Sequence, residues 1–560
     1  MVTLTAIRGD KQPDTTPAFP DIEDTESEKK SAAAALVDIA LERYEFGCTP
    51  EGDAFAIPLP GGHVVRMLRG GRSSLRAELS KDYRKKTGKI APQQALADAL
   101  LVLEGIAQER EPQELHLRVA ERSGVIWIDL GDVNENVIRV DANGWDVVNR
   151  DVPVLFRRTA LTGALPVPER GGDLGDLWDV LNVQVEDQPL VLAWLISALG
   201  APDIPHPVLS LFGEQGTGKS TASRALVSLI DPSPVPLRKP PRDADGWVTA
   251  AAGSWVVGLD NLSVVPDWLS DTLCRAVTGD GDVRRQLYTD GGLSVFAFRR
   301  AILLNGIDLA GLRGDLAERL VTVSLATIPE HKRVSERSIA ARWDRAYPKL
   351  IGVLLDQVAG MAGILPSLRL DSAPRMADFA HVLAALDQLN GTNGVERYMG
   401  QAASLATESL TADPFIVEMM RVTEPFTGTA AELLDLVLSR VPDGWRPPRD
   451  WPKNSRVVTG VLKRNAPALR KAGWTVEDLG AGNKEKTIRW SVIPPEKARI
   501  SSPPYPLTRQ KPDSAGVAGV AGNEYRQSQD EQDDPGYCTH GVTTGFRCGP
   551  CGGVAIKEAA

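Results

Sequence analysis

The feature that most constrains this chain is a glycine-rich segment at residues 213–220, GEQGTGKS. It follows the apolar run HPVLSLF and precedes TASRALVSLI, which favours a helix. Its glycines permit backbone angles that turn successive N–H groups toward an anion, and the dipole of the following helix adds to the attraction. The pattern therefore predicts a phosphate-binding loop, the P-loop or Walker A motif, between a buried strand and a helix.

The whole segment is expected to hold ATP. Lys219 is expected to reach the β- and γ-phosphates, and Ser220 to bind Mg²⁺. The predicted nucleotide-binding residues are Gly213, Glu214, Gln215, Gly216, Thr217, Gly218, Lys219, Ser220 and Thr221.

Two later apolar runs end in polar residues. SWVVGLDN ends in Asp260 and Asn261, and RRAILLNG ends in Asn305. We expect Asp260 to bind the Mg²⁺ ion or its water, and Asn305 to donate hydrogen bonds to the γ-phosphate and the attacking water. Asn261 stands where a second acid would polarise that water. Because an amide orients water but is a poor base, the identity of the general base stays open.

The segment GLRGDLAERL supplies Arg313 and Arg319. A positioned guanidinium stabilises the charge that spreads over a phosphoryl group in the transition state, and it can come from a neighbouring subunit. The alternative for each arginine is a surface salt bridge.

Lys219, Asp260, Asn305 and Arg319 follow one another in the order and rough spacing of superfamily III helicases. Over roughly residues 205 to 330 the chain resembles the phage, plasmid and poxvirus primase-helicase group of that superfamily. The stretch TGDGDVRRQLYTD resembles an extra motif of the group, which carries a loop that touches single-stranded DNA in a central pore. The resemblance favours Arg319 over Arg313 as the finger arginine. It implies DNA contacts by Thr278, Asp280, Arg284, Arg285 and Tyr288.

The resemblance implies an α/β fold with a P-loop, AAA+-like ATPase core. It implies an ATP-dependent DNA helicase or translocase, a hydrolase with ATP and Mg²⁺ as cofactors, that acts in DNA replication of a phage, plasmid or mobile element. Single-stranded or forked DNA would be its partner, together with replication proteins, and the chain would assemble as a homo-oligomer, a hexameric ring. The family more often has two acids where this chain has Asp260 and Asn261. A regulatory or loading ATPase that binds DNA and switches without unwinding therefore stays the alternative.

Composition shifts divide the chain into six segments. We predict a disordered leader (1–30), a mixed α+β accessory domain (31–185), the ATPase domain (186–365), a helical region with a winged helix (366–495), a disordered linker (496–535) and a Cys/His tail (536–560). Asp129 and Asp132 are the one candidate pair of metal-binding acids for a primase site in the accessory domain. A structural role at the end of a strand is the favoured interpretation of both residues.

Two basic stretches stand out in a chain of net charge −10. Residues 66–89 hold nine Lys or Arg side chains, Arg84, Lys85 and Lys86 among them, and suit either a surface that follows a DNA strand or a solvated helix face. Residues 446–470 include Lys463 and Arg464, which are expected on the exposed face of a recognition helix. The alternative is a winged helix used for protein contacts.

The tail contains Cys538, His540, Cys548 and Cys551. These four residues are enough for one tetrahedral zinc ion, and the alternative is a tail of free thiols in a reducing cytosol. No run approaches the roughly 20 apolar residues that cross a bilayer, and the N-terminus has no signal-like apolar core. We therefore expect a cytoplasmic protein with no membrane contact.

Overall fold

The computed structural model describes residues 30–69, 74–279, 282–285, 293–296, 299–306, 314–370, 374–411, 413–442, 444–448, 450–481 and 488–495. Residues 1–29 of the predicted leader, the predicted linker and the predicted zinc ligands therefore lie outside the described residues, as do Asp280, Tyr288 and Arg313.

The N-terminal part has its own apolar core, built from residues 36–107. The hydroxyl of Ser31 caps the first helix by accepting the N–H of Ala34, and β1, β2 and β3 form an antiparallel sheet beside the helices. The elements are α1 (Ala32–Arg43), β1 (Tyr44–Cys48), β2 (Ala54–Pro58), β3 (Arg66–Met67), α2 (Leu75–Thr87) and α3 (Gln93–Gln108).

A four-stranded antiparallel sheet in the order β5-β6-β7-β8 follows, with a short parallel pair of β4 and β9. Residues such as Ile128 and Trp145 of this sheet belong to the main apolar core, which continues to Leu405. That core therefore crosses the predicted domain boundary at 185. The elements are β4 (Leu115–His116), β5 (Val119–Arg122), β6 (Val125–Asp129), β7 (Val137–Asp141), β8 (Gly144–Val148), β9 (Leu155–Phe156) and α4 (Leu174–Val180).

The centre of the molecule is a five-stranded parallel sheet in the order β11-β12-β15-β10-β16. Strands β12 and β15 are buried at every position, as expected of a parallel sheet covered on both faces. The elements to the end of the sheet are α5 (Gln188–Gly200), β10 (Val208–Phe212), α6 (Lys219–Ile230), β11 (Leu237–Arg238), α7 (Ala244–Ala252), β12 (Val256–Leu259), α8 (Asp267–Thr278), β13 (Asp282–Arg285), β14 (Leu293–Phe296), β15 (Ala301–Asn305), α9 (Gly314–Ala317) and β16 (Leu320–Ser324).

Three helices follow the sheet: α10 (Glu336–Ile364), α11 (Ala377–Asn390) and α12 (Gly394–Thr411). With its final turn, α10 is the one helix of the described residues that is long and apolar enough by composition to cross a membrane, and half of its most apolar stretch is buried in the protein. Its buried side chains, such as Leu354 and Val358, belong to the main core. The apolar run in α5 is likewise a core helix, buried at every residue from Leu190 to Gly200.

The C-terminal described residues form a further apolar core, from Leu410 to Val492. The predicted basic helix and the two strands after it are present, and a third strand, β17, joins them in a sheet of order β17-β19-β18. The elements are α13 (Pro414–Met419), β17 (Phe426–Thr429), α14 (Ala430–Arg440), α15 (Ser455–Lys471), β18 (Thr475–Ala481) and β19 (Ile488–Ile493).

A buried ion pair ties the parallel sheet to the antiparallel one. The Arg118 side chain is fully buried, and its Nε donates to Asp231 Oδ1 at 3.0 Å. Arg118 also donates to the carbonyls of Asp129 and Gly163, while Asp231 accepts the N–H of Trp255 at 2.7 Å. The guanidinium nitrogens of Arg118 and the carboxylate oxygens of Asp231 therefore all have hydrogen-bond partners. A buried ion pair is tolerated under this condition.

We expect Arg118→Ala to lower the free energy of unfolding by about 3–5 kcal/mol, because it leaves the Asp231 carboxylate buried without its cation. Urea unfolding followed by circular dichroism measures the change. Arg139→Ala is the matched control, since Arg139 pairs with Asp141 in a partly exposed position. Its loss should cost less than about 1 kcal/mol. Equal losses in the two variants would contradict the prediction.

Candidate functional site

The glycine-rich loop joins β10 to α6 at the carboxyl edge of the parallel sheet, where the sequence placed it. Gly213, Gly216 and Gly218 have φ angles of 151°, 87° and 83°. These angles lie in the range that favours glycine. A β-carbon on Gly213 would also come within 2.8 Å of the Thr217 hydroxyl, so the loop depends on glycine there for space as well.

Two side chains of the loop donate hydrogen bonds to backbone carbonyls of the same loop. Thr217, which is 1% exposed, donates its hydroxyl to the carbonyl of Glu214 at 3.0 Å. Lys219 Nζ donates to the carbonyls of Gly213 and Glu214 at 2.6 and 2.7 Å. The ammonium therefore lies within the curve of the loop, where an incoming phosphate could replace the carbonyls as its partner.

Asp260 meets the loop from the end of β12. The Ser220 hydroxyl donates to Asp260 Oδ1 at 3.0 Å, and the Asn305 amide donates to the same oxygen at 2.8 Å. A hydroxyl and a carboxylate are hard oxygen ligands, which Mg²⁺ prefers, and water or phosphate usually supplies the rest of its octahedron. This pair fits the predicted Mg²⁺ site. No cluster of three or more His, Cys, Asp or Glu side chains suited to a metal occurs among the described residues.

Asn305 is buried at the end of β15, with 2% of its surface exposed. Besides Asp260, its amide donates to the Ser223 hydroxyl at 2.9 Å. Its Oδ1 accepts the backbone N–H of Asn261 at 2.7 Å. Both functional atoms of Asn305 are thus used inside the protein, so it positions Asp260 and α6 in this structure rather than facing a ligand.

Asn261 occupies the left-handed region, with a φ of 57°. Asparagine is enriched in this conformation among residues other than glycine, which gives a backbone reason for an amide at this position. Its side chain is exposed at the carboxyl edge of the sheet. Asn261 therefore directly follows Asp260 at this edge, and its role toward an attacking water stays a prediction.

Arg319 lies at the other edge of the sheet. Strands β10 and β16 are parallel, with Val208 paired to Leu320 and Phe212 paired to Ser324. Arg319 directly precedes β16, whereas the loop follows the opposite end of β10. Four strand residues separate the two edges, roughly 13 Å. Arg319 therefore lies far from the loop of its own chain, and any contact with a nucleotide would have to be made in a neighbouring subunit.

Arg319 is also buried, at 7% exposure. Its Nη1 pairs with Asp315 Oδ1 at 2.7 Å and approaches Cys274 Sγ at 3.7 Å. Burial alone would raise the pKa of Asp315, but the hydrogen bond and charge of Arg319 hold that pKa below its usual value. Arg319 Nε is buried without a hydrogen-bond partner, which leaves this position incompletely satisfied.

A chain of ion pairs continues from Arg319. Arg375 contacts Asp315 at 3.1 Å and Glu318 at 3.2 Å, and Lys471 of α15 contacts Glu318 at 2.6 Å. Residues of the short helix α9 and of the two positions after it thus connect the parallel sheet to the helical region and to α15.

The other predicted DNA-binding residues lie apart from the loop. Thr278 ends α8 and donates its hydroxyl to the carbonyls of Cys274 and Arg275, while Arg284 and Arg285 lie on β13 of an antiparallel hairpin with β14. Arg84, Lys85 and Lys86 are exposed in the last turn of α2, where cations also complement the helix dipole. Lys86 Nζ bonds to Glu42 at 2.7 and 2.8 Å.

On α15, Lys463 and Arg464 are both exposed. Lys463 contacts Asp478 of β18 at 3.4 Å. Trp451 of the same basic stretch is 8% exposed and packs edge-to-face on Phe415 and Trp445, so its ring belongs to the C-terminal core.

A groove of about 760 Å³ adjoins the first basic stretch, with Arg66, Arg69, Arg157 and Arg158 in its lining. Arg66 pairs with Glu78 and Glu135, and Arg69 pairs with Glu104. Arg158 binds the fully buried carboxylate of Asp129 with two hydrogen bonds, at 2.6 and 2.8 Å. Asp129 therefore has the structural role expected of it, and much of the positive charge of this groove is neutralised internally.

Comparisons with known proteins agree with a role in replication. Residues 176–408 match the family of the actinomycete integrative conjugative element replication protein, AICE RepA. Residues 414–503 match the AICE RepA C-terminal domain. No curated protein matches the chain.

Among solved structures, three of the NrS-1 C-terminal region resemble the chain weakly. Two apo structures of residues 305–718 are each 12% identical, cover 83% of this chain and all of theirs, and give TM-scores of 0.32 and 0.34. A third covers 82% of this chain and 98% of its own, with 13% identity and a TM-score of 0.33. Similarity at this level carries no weight for function.

The two family matches are consecutive and together span more than half of the sequence. They narrow the prediction of a phage, plasmid or mobile-element replication protein to one kind of mobile element. Over residues 176–408 and 414–503, the chain is similar to the replication proteins of actinomycete integrative conjugative elements.

Proposed function

We propose that this replication protein is an ATP-dependent DNA translocase or helicase whose ATPase centre is the glycine-rich loop with Asp260 and Asn305. The observation that carries the proposal is that Ser220, Asp260 and Asn305 meet at the carboxyl edge of the parallel sheet. Asp260 Oδ1 accepts hydrogen bonds from the Ser220 hydroxyl at 3.0 Å and from the Asn305 amide at 2.8 Å. A P-loop serine and a carboxylate from a neighbouring strand are the pair that holds Mg²⁺ in P-loop NTPases.

Each residue of the centre has a defined task in the proposed reaction. The loop N–H groups and Lys219 bind the phosphates and withdraw charge from them. Ser220 and Asp260 would hold Mg²⁺, which would supply positive charge that stabilises the phosphate oxygens during hydrolysis. Asn305 fixes the Asp260 carboxylate and the start of α6, so that little rearrangement is needed during hydrolysis. Asn261 orients the attacking water through its exposed amide.

The proposed ring places Arg319 in the nucleotide site of the neighbouring subunit. Its distance from the loop of its own chain supports action in trans, because no motion within one rigid sheet would bring it to that loop. Its unpartnered Nε supports a second state in which the guanidinium leaves Asp315 and finds phosphate oxygens. ATP turnover at each interface would then move the β13–β14 hairpin, which is the proposed contact with single-stranded DNA.

We expect Lys219→Ala and Arg319→Ala each to reduce ATP turnover at least 100-fold, because each removes charge stabilisation from the transition state. A mixture of the two variants should recover measurable turnover, since an intact Lys219 and an intact Arg319 then meet at some interfaces. Phosphate release with and without single-stranded DNA measures both effects, and DNA should stimulate the unaltered protein.

Arg375→Ala is the matched control, because it also removes a cation from Asp315 but keeps Arg319. It should retain most of the activity. If the mixture recovers nothing while both variants remain folded, Arg319 does not act between subunits. If the unaltered protein hydrolyses ATP slowly whatever DNA is present, the switching ATPase replaces the translocase.

We further propose that α15 contacts DNA through Lys463 and Arg464. The double variant Lys463→Ala, Arg464→Ala should bind single-stranded DNA more weakly and with a smaller salt dependence. Each lost phosphate contact lowers the slope of log K against log salt by about 0.7. Fluorescence anisotropy across a salt series measures the slope. Arg440→Ala is the control, because Arg440 is exposed on α14 and paired with Glu424; an equal change in both would contradict a specific role for α15.

A further inference from the structure

The segment that follows β16, residues 325–333, runs along the glycine-rich loop. The N–H of Leu325 donates to the carbonyl of Phe212 at 2.8 Å, which fixes the start of the segment beside the start of the loop. A β-carbon on Gly213 would lie 3.1 Å from the carbonyl oxygen of Leu325, and one on Gly218 would lie 3.7 Å from Ile328 Cδ1. The segment is therefore packed against both ends of the loop.

Arg333 comes at the end of this segment, directly after the short 3₁₀ turn Glu330–Lys332. A β-carbon on Gly216 would lie 3.5 Å from Arg333 Nη2, so the guanidinium is beside the middle of the loop. The backbone N–H of Arg333 donates to the carbonyl of Glu330 at 3.2 Å, which anchors the residue in the turn. The side chain is exposed, and no carboxylate pairs with it in the described part of the chain.

The surroundings of Arg333 contrast with those of Arg319. Arg319 is buried, paired and at the far edge of the sheet, whereas Arg333 is exposed, has no carboxylate partner among the described residues, and lies at the edge that carries the loop. A guanidinium presents several N–H donors in a planar fork that matches two phosphate oxygens. A guanidinium beside the glycine-rich loop adds positive charge where a polyphosphate would lie.

We propose that Arg333 binds the phosphates of the nucleotide in its own subunit, as a second side-chain cation beside Lys219. This inference rests on the proposed nucleotide site and adds a residue to it. The guanidinium already lies beside the loop at Gly216, and the flexible arginine stem would allow it to turn toward a phosphate held there.

The test is calorimetric titration of ATP and of ADP into the full chain, with Mg²⁺, for Arg333→Ala, Arg333→Lys and the unaltered protein. We expect Arg333→Ala to weaken binding of both nucleotides roughly tenfold, the usual effect of losing a hydrogen bond between charged groups. Arg333→Lys should recover part of the affinity, because it keeps the charge but not the fork. In turnover assays the loss should fall mainly on KM rather than on kcat.

Arg337→Ala is the matched control, since Arg337 is exposed on the first turn of α10. It should bind both nucleotides as the unaltered protein does. Unchanged ATP and ADP affinity in Arg333→Ala, with binding abolished in Lys219→Ala, would overturn the role of Arg333 and leave the nucleotide site standing. Failure of the unaltered protein to bind either nucleotide would overturn the site and this inference together.

Discussion

The buried amide of Asn305 is the constraint on which the candidate site depends. Its hydrogen bonds join the end of β15 to Asp260 after β12, to Ser223 in α6 and to the backbone of Asn261. A buried donor or acceptor left without a partner costs about 1–3 kcal/mol, so these elements cannot shift independently without breaking several favourable contacts. The loop, the carboxylate and the end of the strand are therefore held as one unit before any ligand arrives.

The two edges of the parallel sheet carry different groups of side chains. The carboxyl edge collects the loop, Asp260, Asn261 and Arg333, because parallel strands bring all their carboxyl ends to one side. The amino edge holds Arg319 among ion pairs with the helical region. A subunit of the proposed ring would thus use one edge to bind its own nucleotide and the other to sense that of its neighbour.

Sequence reasoning correctly placed the loop and Asp260 at the ends of buried strands, because a glycine pattern and the polar end of an apolar run are local signals that the fold preserves. It placed Asn305 correctly at a strand end but assigned its amide to a ligand. A single sequence does not reveal that Ser223 and Asn261 use both functional atoms of that amide.

Arg333 belongs to no sequence motif. It lies nine residues beyond β16, and only the path of the chain brings it to Gly216. The pairing of Arg319 with Asp315 and the shared core across residue 185 likewise depend on contacts between distant segments.

The ion pairs around α9 link the position of the Arg319 side chain to the attachment of α15. While Arg319 neutralises Asp315, Arg375 divides its charge between Asp315 and Glu318, and Lys471 completes the neutralisation of Glu318. Withdrawal of Arg319 toward a neighbouring subunit would leave Asp315 to Arg375 alone, and Glu318 would then rely more heavily on Lys471. Occupancy of one nucleotide site would in this way alter how firmly α15 is held, through a relay of shared charges rather than through movement of the sheet.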